Sequence, residues 1–181
     1  MESKPGIARE KVIGAIGPAT AEVFSTMLGL EIAAEEVLRE EAAAPQSGLL
    51  ALIGLAGTWS GTGSVSCSAK FACVMASALL DYGCDEVNEE VLDAVGEITN
   101  MIIGNVKTAL EQETGEMGLS TPTVILGRNF QTRSARIQEW TVVGFRCGDE
   151  IFHVQLCLAA NDAAPRARPR PGFSIAQIPA V

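Results

Sequence analysis

Residues 88–112 alternate apolar and polar side chains with the period of an α-helix. A helix advances about 100° per residue, and on that wheel the apolar side chains fall on one side. They form one stripe, made of Val91, Val95, Ile98, Ile102, Val106 and Ala109. The stripe predicts an amphipathic helix that packs its apolar side against a core. Glu97 and Asn100 lie on the opposite side, with Asp93 and Gly104 beside them, and are neighbours on the helix surface.

Two glycines, Gly96 and Gly104, stand inside the same predicted helix. A glycine in a helix interior costs about 1 kcal/mol relative to alanine, so two of them require a reason. Because glycine lacks a Cβ atom, it allows another group to approach the backbone closely. The pair therefore predicts close contacts along this helix.

The rest of the chain follows the order α, β, α, α, β. Helical patterns cover residues 12–28, 71–82 and 85–112, with Gly83 expected to end the second helix. Strand patterns cover residues 49–55, 63–69, 124–126, 135–145 and 150–159. Turns are expected at residues 46–48 and 147–149, and a loop at 115–120. Residues 32–41 are ambiguous, because their alanine and glutamate content favours a helix.

A glutamate beside an asparagine has a limited chemical repertoire. A carboxamide does not titrate near neutral pH, so it is not a general base, but it can donate and accept hydrogen bonds to hold a water molecule. A glutamine plays that positioning role in GTP hydrolysis. A carboxylate one turn away can pair with a cation on a partner. The pair suits a protein that completes the active site of another molecule.

Three segments in order carry a resemblance to a known family. They are Glu-x-x-Asn at 97–100 followed by Gly-Asn at 104–105, the helix segment 21–28, and Ser-x-Pro-x-Val-Ile-x-Gly at 120–127. Over residues 8–160 the chain resembles a CheX-like member of the CheC/CheX/FliY chemotaxis phosphatases. The resemblance implies an α+β fold with pseudo-two-fold α/β halves and a mainly antiparallel sheet packed against long helices. It also implies a strand at residues 32–41.

The same resemblance implies a function. Such proteins dephosphorylate the phospho-aspartate of a CheY-type receiver domain, which itself brings the acyl phosphate, Mg²⁺ and a lysine. By this resemblance Asn100 orients the attacking water, and Glu97 pairs with the receiver lysine. Gly104 keeps the helix surface low, and Met101 flanks the site as an apolar contact. Asn105 lies to one side of the pair, so a structural hydrogen bond is its expected role. No cofactor is expected to be bound by this chain itself.

The resemblance also sets the number of sites and the assembly. CheC proteins carry two copies of the motif, whereas here Glu22 is followed by Ser25 where an asparagine is needed. One site per chain is therefore expected, which is the CheX arrangement. CheX-type chains are homodimers by this resemblance, so two sites per assembly are expected.

Composition and charge exclude several classes of partner. The chain has 181 residues, 48% of them apolar, and a net charge of −9, which disfavours nucleic acid and anionic membranes as partners. Residues 1–127 carry 6 basic and 18 acidic side chains, a net charge of −12, whereas residues 128–181 carry 7 and 4, a net charge of +3. Because the acidic part contains Glu97, a partner at that surface is expected to present Lys or Arg.

Cysteine and histidine provide no site. Five cysteines without a Cys-x-x-Cys pair indicate reduced, apolar side chains, and the single histidine, His153, lies in a strand pattern without other candidate ligands. A bound catalytic metal is not expected. Because no segment is typical of a signal peptide or membrane span, the cytoplasm is the expected location. Residues 1–160 are predicted to form one domain, and the Pro/Arg-rich residues 161–181 a flexible tail.

Three functional classes remain open at this point. The first is a phosphatase for a phosphorylated receiver, which requires Glu97 and Asn100 to be exposed together. The second is a binding module that docks on a receiver or flagellar switch component without hydrolysis. The third is a structural dimerisation domain, which a buried Asn100 would favour. The sequence does not identify the cognate receiver.

Overall fold

The computed structural model describes residues 7–40, 46–130 and 139–161, and the predicted order α, β, α, α, β is confirmed there. The helices are α1 (Arg9–Val23), which continues into a π-helical turn (Phe24–Leu28), α2 (Ala69–Leu80) and α3 (Glu89–Thr114). The strands are β1 (Ala33–Glu40), β2 (Gln46–Gly57), β3 (Trp59–Cys67), β4 (Met117–Leu119), β5 (Thr123–Phe130), β6 (Trp140–Cys147) and β7 (Glu150–Ala160). None of the helices in the described ranges is long and apolar enough to cross a bilayer.

The strands form one sheet in the order β1-β6-β7-β3-β2-β4, and β5 also pairs with β2. Every pairing between them is antiparallel. Because β3 occupies one edge of β2, β4 and β5 share the other, at residues 55–57 and 46–52 of β2. The sheet thus has two halves, β1-β6-β7 and β3-β2 with β4 and β5, joined by the pairing of β7 with β3.

The two long helices divide the sheet between them. Helix α1 packs over β6 and β7, and α3 packs over β2 and β3, so each half of the sheet carries one long helix. An ion pair between Lys11 and Glu113 joins the start of α1 to the end of α3. A Cβ atom at Gly63 on β3 would lie 2.7 Å from Ile103 Cδ1, so glycine at this position allows α3 to pack directly on the sheet. This is the predicted α+β architecture.

A cluster of phenylalanines fills the core where the two halves meet. The Phe152 ring stacks on Phe24, Phe71 and Phe145, with ring centroids 4.7, 5.2 and 5.3 Å apart. These residues come from the π-helical turn, α2, β6 and β7. All four side chains are almost fully buried, so the cluster fixes α1 and α2 against the sheet.

Local sequence signals define both ends of α3. The side-chain oxygen of Asn88 accepts a hydrogen bond from the Val91 N–H at 3.0 Å, which caps the first turn. Gly115 ends the helix with a φ of +70°, a conformation that favours glycine. Five of the six predicted stripe residues are buried, but the prediction for Ala109 is wrong because it is exposed. Leu110 is buried instead, since the buried side of a helix lying on a twisted sheet shifts along its length.

Four other local predictions need correction. Helix α2 ends at Leu80, where Asp81 adopts the left-handed conformation that was expected of Gly83. Residues 46–48 begin β2 instead of forming a turn, and residues 117–119 form β4 within the predicted loop. Strand β3 starts at Trp59, four residues before its predicted start. The strand at 32–41, which the family resemblance implied, is confirmed as β1.

Parts of two predictions lie outside the described residues. These parts are residues 135–138 of the strand expected at 135–145 and residues 162–181 of the predicted tail. Asn161, at the start of that tail, is described and hydrogen-bonded. Its N–H donates to the Thr58 carbonyl at 3.0 Å, and its amide donates to the Gly57 carbonyl at 2.9 Å.

Candidate functional site

Glu97 and Asn100 lie midway along α3, on the side opposite its buried apolar stripe. Ile98, fully buried between them, holds this part of the helix against the core. Glu97 is exposed and Asn100 is partly buried, and Asp93, one turn before Glu97, is also exposed. The sequence prediction that the two residues share an accessible helix surface is therefore confirmed. Their spacing places their Cβ atoms about 5–6 Å apart.

Neither the Glu97 side chain nor the Asn100 side chain makes a hydrogen bond or an ion pair with any residue in the described ranges. Other polar side chains of α3 are paired: Tyr82 donates to Glu90, Lys107 pairs with Glu111, and Lys11 with Glu113. The side chains of the pair are thus available to a second molecule. Within the described residues, neither the Glu97 carboxylate nor the Asn100 amide takes part in an interaction that stabilises the fold.

Asn105 differs from its expected role. Its position beside the motif predicted a structural hydrogen bond, but the side chain is exposed and makes none to the described part of the chain. That prediction is wrong, because the residue faces solvent at a point where the core-facing side of α3 has shifted toward Val106 and Leu110. Asn105 and Asn100 are therefore two asparagines of one helix whose side chains have no partner in the described part of the chain, and only Asn100 lies beside Glu97.

The two glycines of α3 have different surroundings. Gly96 is buried, and a Cβ atom there would touch Val124 Cγ2 at 3.5 Å and Pro122 at 3.6 Å. These are ordinary van der Waals distances, so the close contact that the sequence predicted is not found at Gly96, where the segment before and within β5 leaves room for a Cβ atom. At Gly104 the one described atom within 4 Å of such a Cβ would be Leu119 Cδ1, at 3.8 Å. The surface beside Gly104 is open, one turn after Asn100.

Met101 lies next to Asn100 in sequence and is partly buried against the core. Its side chain therefore has a packing role within the fold, and its remaining exposed surface borders the site. Gly104 and Met101 together bound the pair toward the C-terminal half of α3. The family resemblance implied a low helix surface at Gly104 and an apolar contact at Met101, and both residues are partly exposed.

A groove of about 510 Å³ opens beside Glu97, between the end of α2 and the first half of α3. Its lining consists of Leu79, Leu80, Tyr82, Glu90, Asp93, Ala94 and Glu97. The sequence did not predict this groove, because the groove depends on how α2 packs beside α3. The one available signal was the run of Leu79, Leu80 and Tyr82 at the end of a predicted helix, followed by acidic residues.

One titratable group in the groove is strongly perturbed. The hydrogen bond to Glu90 raises the pKa of Tyr82 from 10.0 to about 12. The Tyr82 hydroxyl therefore stays protonated at neutral pH and holds the ring against the start of α3. Within the residues that the structure describes, no cluster of three or more His, Cys, Asp or Glu side chains is arranged to hold a metal ion.

The opening helix lacks an equivalent pair. The Ser25 hydroxyl donates to the Glu22 carbonyl at 3.2 Å, and the Thr26 hydroxyl donates to the same oxygen at 2.6 Å. Both residues belong to the π-helical turn that ends α1. Serine has a hydroxyl in place of a carboxamide, and here that hydroxyl is bonded to its own helix. Among the described residues, α3 is therefore the helix with the complete Glu-x-x-Asn motif.

Comparison with known protein families gives a match over a segment that contains the site helix. The family model described as chemotaxis phosphatase CheX matches residues 49–146, which is more than half of the chain and includes the whole of α3. The chain belongs to the CheX family. The matched segment begins within β2 and ends within β6, so it contains the site helix together with β3, β4 and β5, three of the strands on which that helix packs. A search of curated proteins found no match.

Several solved structures have the same fold as this chain. CheX from Desulfovibrio desulfuricans superposes with a TM-score of 0.73 at 26% identity, covering 82% of this chain and 99% of that one. A CheC-like superfamily protein from Shewanella sp. PV-4 gives 0.74 at 22% identity, with 83% and 98% covered. CheX of Borrelia burgdorferi, solved in complex with CheY, BeF3 and Mg²⁺, gives 0.68 at 23% identity, with 82% and 97% covered.

Proposed function

We propose that this chain accelerates hydrolysis of the aspartyl phosphate of a CheY-type response regulator. The observation that carries the proposal is the exposed Glu97 beside the partly exposed Asn100 on α3, neither side chain having a partner among the described residues, in a chain of the chemotaxis phosphatase CheX family. The Borrelia CheX relative was solved with CheY, BeF3 and Mg²⁺, which supports a receiver domain as the partner. The Mg²⁺ in this proposal belongs to the receiver.

Asn100 positions the attacking water in this proposal. Its carboxamide oxygen accepts a hydrogen bond from the water and its N–H donates to a phosphoryl oxygen, so the water lies in line with the bond to be broken. The water oxygen forms a bond to phosphorus, and the bond between phosphorus and the aspartate oxygen breaks. The products are inorganic phosphate and a free aspartate carboxylate, with the water proton passing to the phosphate. Because phosphoryl transfer has a loose transition state, positioning contributes more than a strong base.

Glu97 docks the helix on the receiver. It is exposed and has no cation within the described part of this chain, so a lysine or arginine of the partner can reach it. In this proposal that cation is the active-site lysine of the receiver, as the family resemblance implies. A charge-assisted hydrogen bond between the two would fix the helix axis over the phosphorylated aspartate. Glu97 therefore acts in affinity and orientation, whereas Asn100 acts in the chemical step.

Two features of the surface favour this docking. Gly104 leaves open space one turn after Asn100, which allows the receiver to approach the α3 backbone. Met101 offers a partly exposed apolar contact beside the pair. Both roles remain proposals in the same sense as the roles of Glu97 and Asn100.

A homodimer with one site per chain remains a prediction, which sedimentation or light scattering of the purified protein would test.

The test is the rate of phosphate loss from a receiver. Each CheY-type receiver of the source organism is charged with acetyl phosphate in the presence of Mg²⁺, and phosphate release is followed with and without this chain. Acceleration of one receiver supports the phosphatase. Binding without acceleration would instead establish the non-catalytic binding module, and the absence of both would leave the dimerisation domain.

A further inference from the structure

The groove between α2 and α3 borders the candidate site and shares Glu97 with it. The apolar side chains of Leu79, Leu80 and Ala94 also line the groove and are called its apolar floor. Leu80 is 36% exposed and Tyr82 is 47% exposed, although both are large apolar or aromatic side chains. An apolar surface open to solvent and continuous with a site is typical of an interaction surface.

Carboxylates line the α3 wall of the same groove. Glu90 is occupied, because it accepts the hydrogen bond of the Tyr82 hydroxyl. Asp93 and Glu97 are exposed and make no hydrogen bond or ion pair to the described residues of this chain. A purely apolar ligand in this groove would remove both carboxylates from water without giving them a partner, which is unfavourable.

A lysine or arginine satisfies both parts of the groove. Its aliphatic stem can lie along the apolar floor while its cationic head reaches a carboxylate at the rim. An arginine head can also stack on the exposed Tyr82 ring. Asp93 lies one turn before Glu97, at about 6 Å along the helix, so the two carboxylates can meet two different cations.

We infer that the groove of Leu80, Tyr82 and Asp93 binds a second basic side chain of the receiver domain, separate from the lysine that meets Glu97. This inference rests on the proposed function, because it takes the receiver as the occupant. The second contact lies outside the reacting atoms, so it contributes equally to the binding of substrate and transition state. It therefore sets which receiver binds, and it leaves the rate of the chemical step unchanged.

The experiment measures affinity without turnover. The probes are the CheY-type receivers of the source organism, labelled with a fluorophore and loaded with Mg²⁺ and BeF3⁻, which mimics the phosphoryl group. Fluorescence anisotropy gives Kd for wild type, Leu80→Ser and Asp93→Lys, at low and high salt. Matched controls are Ile151→Ser, an exposed apolar residue on the opposite face of the sheet, and Glu116→Lys, an exposed acidic residue beyond the far end of α3.

Leu80→Ser and Asp93→Lys are each expected to raise Kd about tenfold. The two controls are expected to stay within about twofold of wild type. High salt should weaken wild-type binding and remove most of the difference between wild type and Asp93→Lys. Because Asp93 is exposed and has no packing role, its variant tests the groove even if Leu80→Ser destabilises α2.

Each alternative outcome separates this inference from the proposed function. If the wild type binds a receiver and releases phosphate, and Kd is unchanged in both groove variants, the inferred role of the groove is wrong and the proposed function stands. If both variants bind more weakly but the wild type releases no phosphate, the inferred role of the groove stands and the proposed function is wrong. A wild-type chain that binds no receiver would overturn both.

Discussion

Asn100 and Gly104 lie one helical turn apart on α3, and the space that a side chain at position 104 would occupy borders Asn100. A helical side chain leans toward the N-terminus, so a residue at 104 would cover the surface over the preceding turn. Leu119 is the one described neighbour within 4 Å of a Cβ atom placed there. Glycine at 104 therefore keeps the approach to Asn100 free at some cost in helix stability.

Replacement of Gly104 tests this relationship by side-chain size. Gly104→Phe is expected to abolish receiver binding, because its ring would cover the approach to Asn100. Gly104→Ala should raise stability by about 1 kcal/mol and keep most of the binding, since its Cβ makes only an ordinary contact with Leu119. Thermal unfolding and receiver affinity measure both effects. Equal affinity for the Phe and Ala variants would show that the surface at 104 is not approached.

Removal of the Glu97 charge should act on affinity. Glu97→Gln keeps the size of the side chain but loses the pairing with a receiver cation, so KM for the phosphorylated receiver should rise about tenfold. The salt dependence of KM should also become weaker. Steady-state kinetics at several salt concentrations provide the measurement, with Glu116→Gln as the control for loss of an exposed carboxylate. An unchanged KM would place Glu97 on an ordinary solvated surface.

The cap of the site helix is a structural feature that can be tested independently of function. Asn88→Ala removes the acceptor of the Val91 N–H and should cost about 1 kcal/mol of unfolding free energy. Denaturant unfolding measures this change. Asn105→Ala is the matched control, because Asn105 is exposed on the same helix and has no partner among the described residues. Similar losses in both variants would contradict the assigned cap.

Tyr82 gives the fold a defined response to alkaline pH. It is the one tyrosine of the chain, so tyrosinate absorbance reports this residue alone. The Glu90 hydrogen bond raises its pKa to about 12, and the protonated form is the one that is stabilised. The stabilisation is thus complete below pH 10, the ordinary pKa, and is lost as the pH rises toward 12.

Glu90→Gln should move the Tyr82 titration back toward pH 10, because the carboxylate that accepts the hydrogen bond from the Tyr82 hydroxyl is no longer present. Absorbance titration of wild type and variant gives the two midpoints, with circular dichroism to confirm that the chain is folded. The difference in stability between the two proteins should be present at neutral pH and disappear in strong alkali. Coincident midpoints would contradict the hydrogen bond.

Periodicity predicted the site helix because α3 is long and one side of it is buried along most of its length. The exposure of Glu97 follows directly from the wheel, since Ile98 and Ile102 fix which side faces the sheet. The wheel failed at Ala109, where the contact of the helix with the sheet has shifted. A helical wheel assumes a straight helix that is buried on the same side along its whole length, so it cannot predict that shift.

Features that depend on packing between elements could not be predicted. Strand β4 has only three residues and exists because β2 offers a free edge at 55–57. Asp81, which ends α2, is not a residue that favours the left-handed conformation as strongly as Gly83 does. The lining residues of the groove beside Glu97 all fall between positions 79 and 97, but the groove forms only because the end of α2 lies beside the first half of α3.

The central claim is that Asn100 positions the attacking water, and one comparison tests it most directly. Phosphate release from an acetyl-phosphate-charged, Mg²⁺-loaded CheY-type receiver is measured at saturating receiver with wild type, Asn100→Ala and Asn105→Ala. Loss of one positioned group should lower kcat by a factor of about 10² to 10³ in Asn100→Ala, with little change in receiver affinity. Asn105→Ala should behave as wild type. An Asn100→Ala variant that keeps the wild-type rate would contradict the account.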